Sequence, residues 1–311
     1  MNTLDRLFVF DGTWELLQLP FVRNSLIAAA TLGLIAGLLA PLIVARSMAF
    51  AVHGTSELAF TGGAAALLLG VDVGLGAIGG AVTASVLFGV LGARQRERDS
   101  VIGVVLAFGL GLGVLMLALY EGRSANRFGL LTGSIVSVDA TNLLVLGLCA
   151  ALVIALLSVT YRPLLFSSTD PDVAAAHGVP VRLLGVLFAV LIGLTTALAV
   201  PVVGAILVLA VMVTPGAAAA QVTASPVKAT VLAIVFAEVG LVGGTVLSLG
   251  AGLPISGYVA TLIFLCYVGC RLVGRWQRRT GRRREVGVDA ATTQPTPVVP
   301  APQRADAVRG P

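Results

Sequence analysis

An all-α, polytopic transmembrane helix bundle of about eight or nine spans is the fold class this sequence predicts, and three observations predict it. Hydrophobic residues make up 57% of the 311 residues and charged residues 11%, with a mean hydropathy of +1.00. The solvent of such a chain is mostly lipid. Apolar segments recur from about residue 24 to 274 with no polar domain between them, so one membrane domain fits better than the two soluble domains that length alone would allow. The basic residues gather in short loops and in a tail after the last apolar segment, which is the positive-inside pattern of a membrane protein and not a basic patch for nucleic acid.

Taken in order, residues 1–19 carry acids and no basic run ahead of a hydrophobic core, unlike a cleaved signal peptide. With Trp14 and its leucines this stretch reads as an N-terminal interfacial segment. A span needs about 20 apolar residues, and the polar punctuation allows nine, near 24–45, 48–69, 72–93, 100–120, 140–160, 182–200, 202–222, 229–250 and 256–274. Together they form a transmembrane domain over residues 20–275.

Arg46, Arg94, Arg96, Arg98, Arg162, Arg182, Lys228 and the arginines from Arg271 to Arg284 share one side if the C-terminus is cytoplasmic, and Arg6, Arg23, Arg123 and Arg127 fall on the other. Glycines cluster within spans, and a spacing such as Gly109 to Gly113 lets helix backbones approach closely. Pro41, Pro201, Pro215 and Pro254 lie in or beside spans, so AVPVVG (199–204) and VTPG (213–216) are expected bends. The tail, 276–311, is basic and then, from about 285, rich in Pro, Ala and Thr, as a disordered cytoplasmic segment would be. Cys149, Cys266 and Cys270 all fall in apolar segments and suggest neither a disulfide framework nor a metal motif.

Against this background a few polar residues stand out. His53 and Glu57, four apart in RSMAFAVHGTSELAFTGG (46–63), would share one helix face inside hydrocarbon-like surroundings. Groups so costly to bury in a membrane usually have a function, and one imidazole plus one carboxylate suits a divalent transition metal. The competing readings are a histidine bonded to a backbone carbonyl and an acid that is protonated or paired with an arginine. Glu238 is a second mid-span acid, read either as a carboxylate on the same path or as a protonated group bonding between helices. Asp72 and Asp139 lie near outer span ends, where ordinary solvation competes with a role in an outer vestibule.

The loop 161–181, YRPLLFSSTDPDVAAAHGVPV, is the longest interior loop and outlines a short helix over about 169–178. Thr169 or Asp170 would cap it, Pro171 suits its first turn, Asp172 favours the dipole, and Gly178 followed by Pro180 stops it. A surface connector is one reading and a docking helix for a cytoplasmic partner the other.

DPDVAAAHGVPVRLL resembles the cytoplasmic coupling-helix segment in the membrane subunits of zinc and manganese ABC importers. RERDSVIGVVLAFGLGLGVLML (96–117), LLTGSIVSV (130–138), VVGAILVLAVMVTPGAAAA (202–220) and GLPISG (252–257) resemble further segments of that family in the same order. The resemblance covers about residues 17–275. It implies a bundle of the ABC-importer permease type in the plasma or inner membrane, with no permanently bound cofactor and with zinc or manganese as cargo.

The implied partners are cytoplasmic ABC ATPase subunits, an extracellular metal-binding protein and a second permease subunit, identical or related. The coupling-helix residues that would meet the ATPase are Asp170, Asp172, Val173, His177, Gly178 and Val179. The sequence lacks a phosphate-binding loop with its Lys and Ser/Thr, so the chain is expected not to be an enzyme. Family members place Asp and His, in that order, where this chain has His53 and Glu57, so the donor types are kept and their order is exchanged. The metal residues implied are thus His53 and Glu57, with Glu238 as a further carboxylate. Alternatives are a permease for an iron chelate or corrinoid, and a passive channel or secondary transporter, which would not need the DPDVAAAHGVPV loop. An intramembrane metalloenzyme would need about three protein ligands and a base, and the chain has only two histidines.

Overall fold

The structure, a computed structural model, describes residues 17–91, 95–122, 129–131, 133, 140–251 and 254–292. Among these residues the regular structure is helical: α1 (Pro20–Ala45), α2 (Ala49–Leu69), α3 (Val73–Leu91), α4 (Gln95–Leu119), α5 (Ala140–Thr169), the short α6 (Pro171–Ala176), α7 (Val181–Val203), α8 (Ala205–Val222), α9 (Pro226–Ala251) and α10 (Ile255–Thr292). Seven of these are long and apolar enough to cross a membrane, namely α1, α4, α5, α7, α8, α9 and α10. The apolar run of α3, Val73–Phe88, is shorter. His53, Glu57 and several hydroxyl residues dilute the hydropathy of α2, although its 21 residues suffice in length. The bundle therefore has one long helix for each of the apolar segments seen in the sequence.

Packing places α1 and α2 at the centre. α2 meets α3, α4, α7 and α8, whereas α1 meets α5, α7, α8 and α9, and α10 closes one side against α8 and α9. Small residues permit this density. A Cβ built at Gly109 or Gly113 of α4 would stand 3.1 Å from Leu58 Cδ2 or 2.7 Å from Phe60 Cε1 of α2, so the Gly109–Gly113 spacing is the seam along which α4 approaches α2. Several buried hydroxyls are satisfied within their own helix: Ser25, Thr55, Ser85 and Thr245 each donate to the carbonyl four residues back, at 2.7 to 3.0 Å.

Connections reflect local chemistry. AVPVVG bends as expected, because α7 contains Pro201 and ends at Gly204, whose φ of +84° suits glycine and strains other residues. VTPG does not bend the chain out of helix. α8 runs through Pro215, and Gly216 is buried so closely on α1 that an added Cβ would collide with the Ala40 backbone; packing against α1 holds the helix where proline alone would loosen it.

The interior loop is shorter than expected, since α5 continues through Pro163 to Thr169. Its final turn is braced by Ser167, Ser168 and Thr169 hydroxyls donating to Leu164 and Leu165 carbonyls. At about 45 Å for 30 residues, α5 is longer than a hydrocarbon core of about 30 Å, so its last turns carry the chain beyond the apolar slab before α6 begins. At the other end of the sequence α10 runs to Thr292, past residue 285 where the unstructured tail was expected to start. Residues 293–311 lie outside the described residues, as do residues 1–16 of the interfacial segment, Arg123, Arg127 and Asp139.

Candidate functional site

Few surfaces of α2 meet anything but protein. Twelve of its residues are buried, from Ala51 to Ala66 and on every face, which explains how a helix of modest hydropathy sits at the centre of a membrane bundle. The His53 and Glu57 side chains lie together as their spacing predicts, with Nδ1 3.9 Å from Oε1. The His53 side chain is 36% exposed and that of Glu57 is 9% exposed, so the pair opens at one edge and is closed at the other.

His53 Nδ1 is buried and has no hydrogen-bond partner. A histidine held for structural reasons would normally spend that nitrogen on a carbonyl; here it faces a carboxylate at a distance too long for a hydrogen bond. Bonds of about 2.1 Å from a divalent metal to nitrogen and to oxygen sum to more than the 3.9 Å separation, so one ion reaches both atoms without moving the helix. The polypeptide around the pair is braced. Ser56 donates to the His53 carbonyl at 2.8 Å, and the Thr61 hydroxyl lies 2.8 Å from the Glu57 carbonyl and 2.6 Å from the Gly109 carbonyl of α4. On the opposite face Thr55 Oγ1 lies 3.5 Å from Thr196 Oγ1 of α7, which donates to Met212 Sδ of α8 at 3.3 Å. The sequence offered no signal for these threonines beyond their occurrence in apolar runs.

Glu238 is not part of this pair. Its carboxyl lies over Gly33 of α1, where a Cβ would come within 3.0 Å of the carboxyl carbon and of Oε1. No group of three His, Cys, Asp or Glu able to hold a metal forms among the described residues. A separate cavity of about 690 Å³ opens where α2 and α7 end and α3 and α5 begin, lined by Leu67, Asp72, Asn142, Leu198 and Pro201 among others. Leu67 is ten residues beyond Glu57 on α2, or about 15 Å along the helix. Asp72 sits at the rim of that cavity and also caps α3, accepting from Leu75 N at 2.9 Å.

The opposite end of the bundle carries α6. Asp170, and not Thr169, is its cap: the extended Asp170 backbone turns the chain and Oδ1 accepts from Val173 N at 3.0 Å. Pro171 and Asp172 fill the first turn as expected. Gly178, with φ of +80°, reverses the chain, and Val179 N donates to Ala174 O at 3.0 Å. His177 is tied in place by Nδ1, 2.8 Å from Val173 O, and by its ring, edge-on to Phe166 at 5.9 Å between centroids. Ala174 is fully buried and anchors the helix, while Asp170, Asp172, Val173, His177 and Gly178 are exposed. This is a rigid, presented surface of two acids and an apolar side chain.

Arg46, which the sequence marks only as a charge on the basic side, occupies the base of this end. Its Nε donates to Ser168 Oγ at 2.8 Å, a second guanidinium nitrogen donates to Ser167 Oγ, and Cζ lies 5.4 Å from the Phe188 ring centroid. Position could have flagged it, because Arg46 is the residue between α1 and the turn that opens α2.

Comparison with known proteins points one way. The profile of the ABC 3 transport family matches residues 18–273. The manganese transport system membrane protein MntC of Halalkalibacterium halodurans is 30% identical over 268 residues, covering 84% of this chain and 90% of that protein. The manganese import system permease protein ScaB of Streptococcus parasanguinis is 33% identical over 206 residues, 65% of this chain and 72% of that one. Among solved structures, PsaBC from Streptococcus pneumoniae in complex with Fab superposes with a TM-score of 0.74 at 25% identity, covering 83% of this chain and 94% of the matched chain.

Proposed function

The chain belongs to the ABC 3 transport family, and from that premise we propose that it is the membrane permease subunit of an ATP-driven importer of a divalent transition metal, with manganese the first candidate cargo and zinc the second. The observation that carries the cargo assignment is the unpartnered His53 Nδ1 facing the Glu57 carboxylate at 3.9 Å inside the central helix. Its mixed nitrogen and oxygen donors suit manganese as well as zinc, and the relatives named above are described as manganese transporters.

Two donors are few, and that fits transport. An ion held by four good ligands would not leave, whereas a pair at one level releases its ion when the bundle rearranges. In this reading cargo delivered by an extracellular metal-binding protein enters the 690 Å³ cavity and passes along α2 to His53 and Glu57. Glu238 supplies a carboxylate elsewhere on the route and not a third ligand on the same ion. Cytoplasmic ATPase subunits dock on α6 through Asp170, Asp172 and Val173, with His177, Gly178 and Val179 shaping its end, and their closure drives alternating access. A second permease subunit completes the complex. ATP hydrolysis belongs to the ATPase subunits, since this chain carries no phosphate-binding loop.

The test is uptake in cells lacking other high-affinity manganese importers, with the chain expressed beside its ATPase and binding protein. Manganese accumulation that depends on the chain, and that excess zinc competes with in proportion to its own affinity, supports the reading; accumulation equal to that of cells without the chain refutes it.

A further inference from the structure

In the permease reading the bundle must carry a movement of the exposed α6 to a pair buried in α2, and one side chain, Arg46, joins the two helices that flank α6 to the turn that opens α2. Arg46 caps α1, and Ser47, with φ of +53°, turns the chain sharply. Met48 N then donates back to Ile43 O at 2.9 Å, and α2 starts at Ala49, one turn before His53. The connection from Arg46 to the pair is therefore short and has no slack loop in it.

The guanidinium reaches across to both helices that flank α6. On one side it donates to Ser167 and Ser168 in the last turn of α5, immediately before the Asp170 cap. On the other it lies over Phe188 of α7, the helix that follows α6. Ser167 and Phe188 are buried, while Arg46 and Ser168 are half-buried, so the guanidinium reaches from the edge of the bundle onto its packed interior. A planar guanidinium can donate along its edge and stack by its face at the same time, which the compact ammonium of lysine cannot do. Phe166, one residue before Ser167, also holds the His177 ring at the end of α6, so α6 is fixed at both ends to the turn that Arg46 grips.

We propose that Arg46 is a positioning residue that transmits the displacement of α6 to the helix bearing His53 and Glu57, coupling ATP hydrolysis in the partner to cargo release. This rests on the permease reading above. Arg46 touches no cargo; it acts through Ser167, Ser168 and Phe188 on one side and through the Ser47 turn on the other.

The experiment reconstitutes the chain with its ATPase in liposomes, supplies manganese and the binding protein outside, and measures manganese imported per ATP hydrolysed. Substitutions along a coupling network change coupling by about two- to thirtyfold, so Arg46→Gln should lower import per ATP by about tenfold in complexes that still co-purify with the ATPase. Arg46→Lys should retain part of the coupling. The pair Ser167→Ala with Ser168→Ala should lower it by about threefold, and combining that pair with Arg46→Gln should add nothing further, because they remove one contact. An unchanged ratio in Arg46→Gln, or a serine effect that multiplies fully with it, overturns the proposal. If Arg46→Gln does not assemble, the serine pair and Phe188→Leu decide: a lowered ratio supports it and an unchanged ratio in both overturns it. Failure of the native chain to import manganese in this system would instead refute the permease reading and this inference with it.

Discussion

α2 and α5 are both long helices of one bundle, yet they obey opposite rules. α5 is apolar over most of its length and largely unburied, with Leu144, Leu148, Leu152 and Val159 all outward. α2 buries twelve residues over all its faces and includes an imidazole, a carboxylate and three hydroxyls. The difference follows from the solvent. Lipid rewards apolar side chains and penalises polar ones, and a helix screened from lipid by α3, α4, α7 and α8 is free to carry polar groups. Burial in the bundle thus lets α2 carry polar groups that a lipid-facing helix excludes, although α1 and α7 are buried and strongly apolar as well.

That contrast can be broken experimentally. The largest effect is expected from charge on the wrong helix: Leu152→Arg, on the exposed face of α5 near the middle of the 140–160 span, costs about 2.5–3.5 kcal/mol of insertion, read as the fraction of chain inserted in a membrane fraction. At the seam of α4 on α2 the sensitive property is volume. Gly113→Leu, set against Phe60 at 2.7 Å, should destabilise the bundle by about 1–3 kcal/mol by overpacking, measured as a drop in thermal midpoint of the purified protein. Asp170→Ala removes the α6 cap and should cost about 1 kcal/mol locally, seen as faster amide exchange over 172–176 with little change in the midpoint. Leu148→Ala, with 65% of its side chain exposed to lipid, should leave stability within about 0.5 kcal/mol. If Leu148→Ala proved as damaging as Gly113→Leu, the division between a lipid-facing shell and a packed centre would fail.

Much of this was legible in the sequence because its signals are local. The apolar segments located the helices, and the run Asp170-Pro171-Asp172 with Gly178 and Pro180 located α6, since caps and stops act over one turn. The His53–Glu57 pair was legible for the same reason: a four-residue spacing fixes a common face. What the sequence hid depends on long-range packing. Tyr161 to Thr169 reads as loop because it contains Arg162 and Pro163, yet buried Leu164 and three back-bonding hydroxyls keep it helical. Pro215 reads as a break, yet α1 presses on its neighbour Gly216. Glu238 reads only as a mid-span acid, and it takes the packing of α9 on α1 to show that its carboxyl lies over Gly33. Arg46 reads as one charge among many, because its partners are more than a hundred residues away.

The central claim is that His53 and Glu57 receive the metal, and manganese itself can report on it. Purified native chain in lipid nanodiscs, loaded with manganese, should show nitrogen modulation in its electron spin-echo spectrum from the directly bonded imidazole, and His53→Ala should abolish that modulation while Glu57→Gln, which removes the charged oxygen donor, weakens manganese affinity. Nitrogen modulation of equal depth in the native chain and in His53→Ala, or native affinity in Glu57→Gln, would contradict the account.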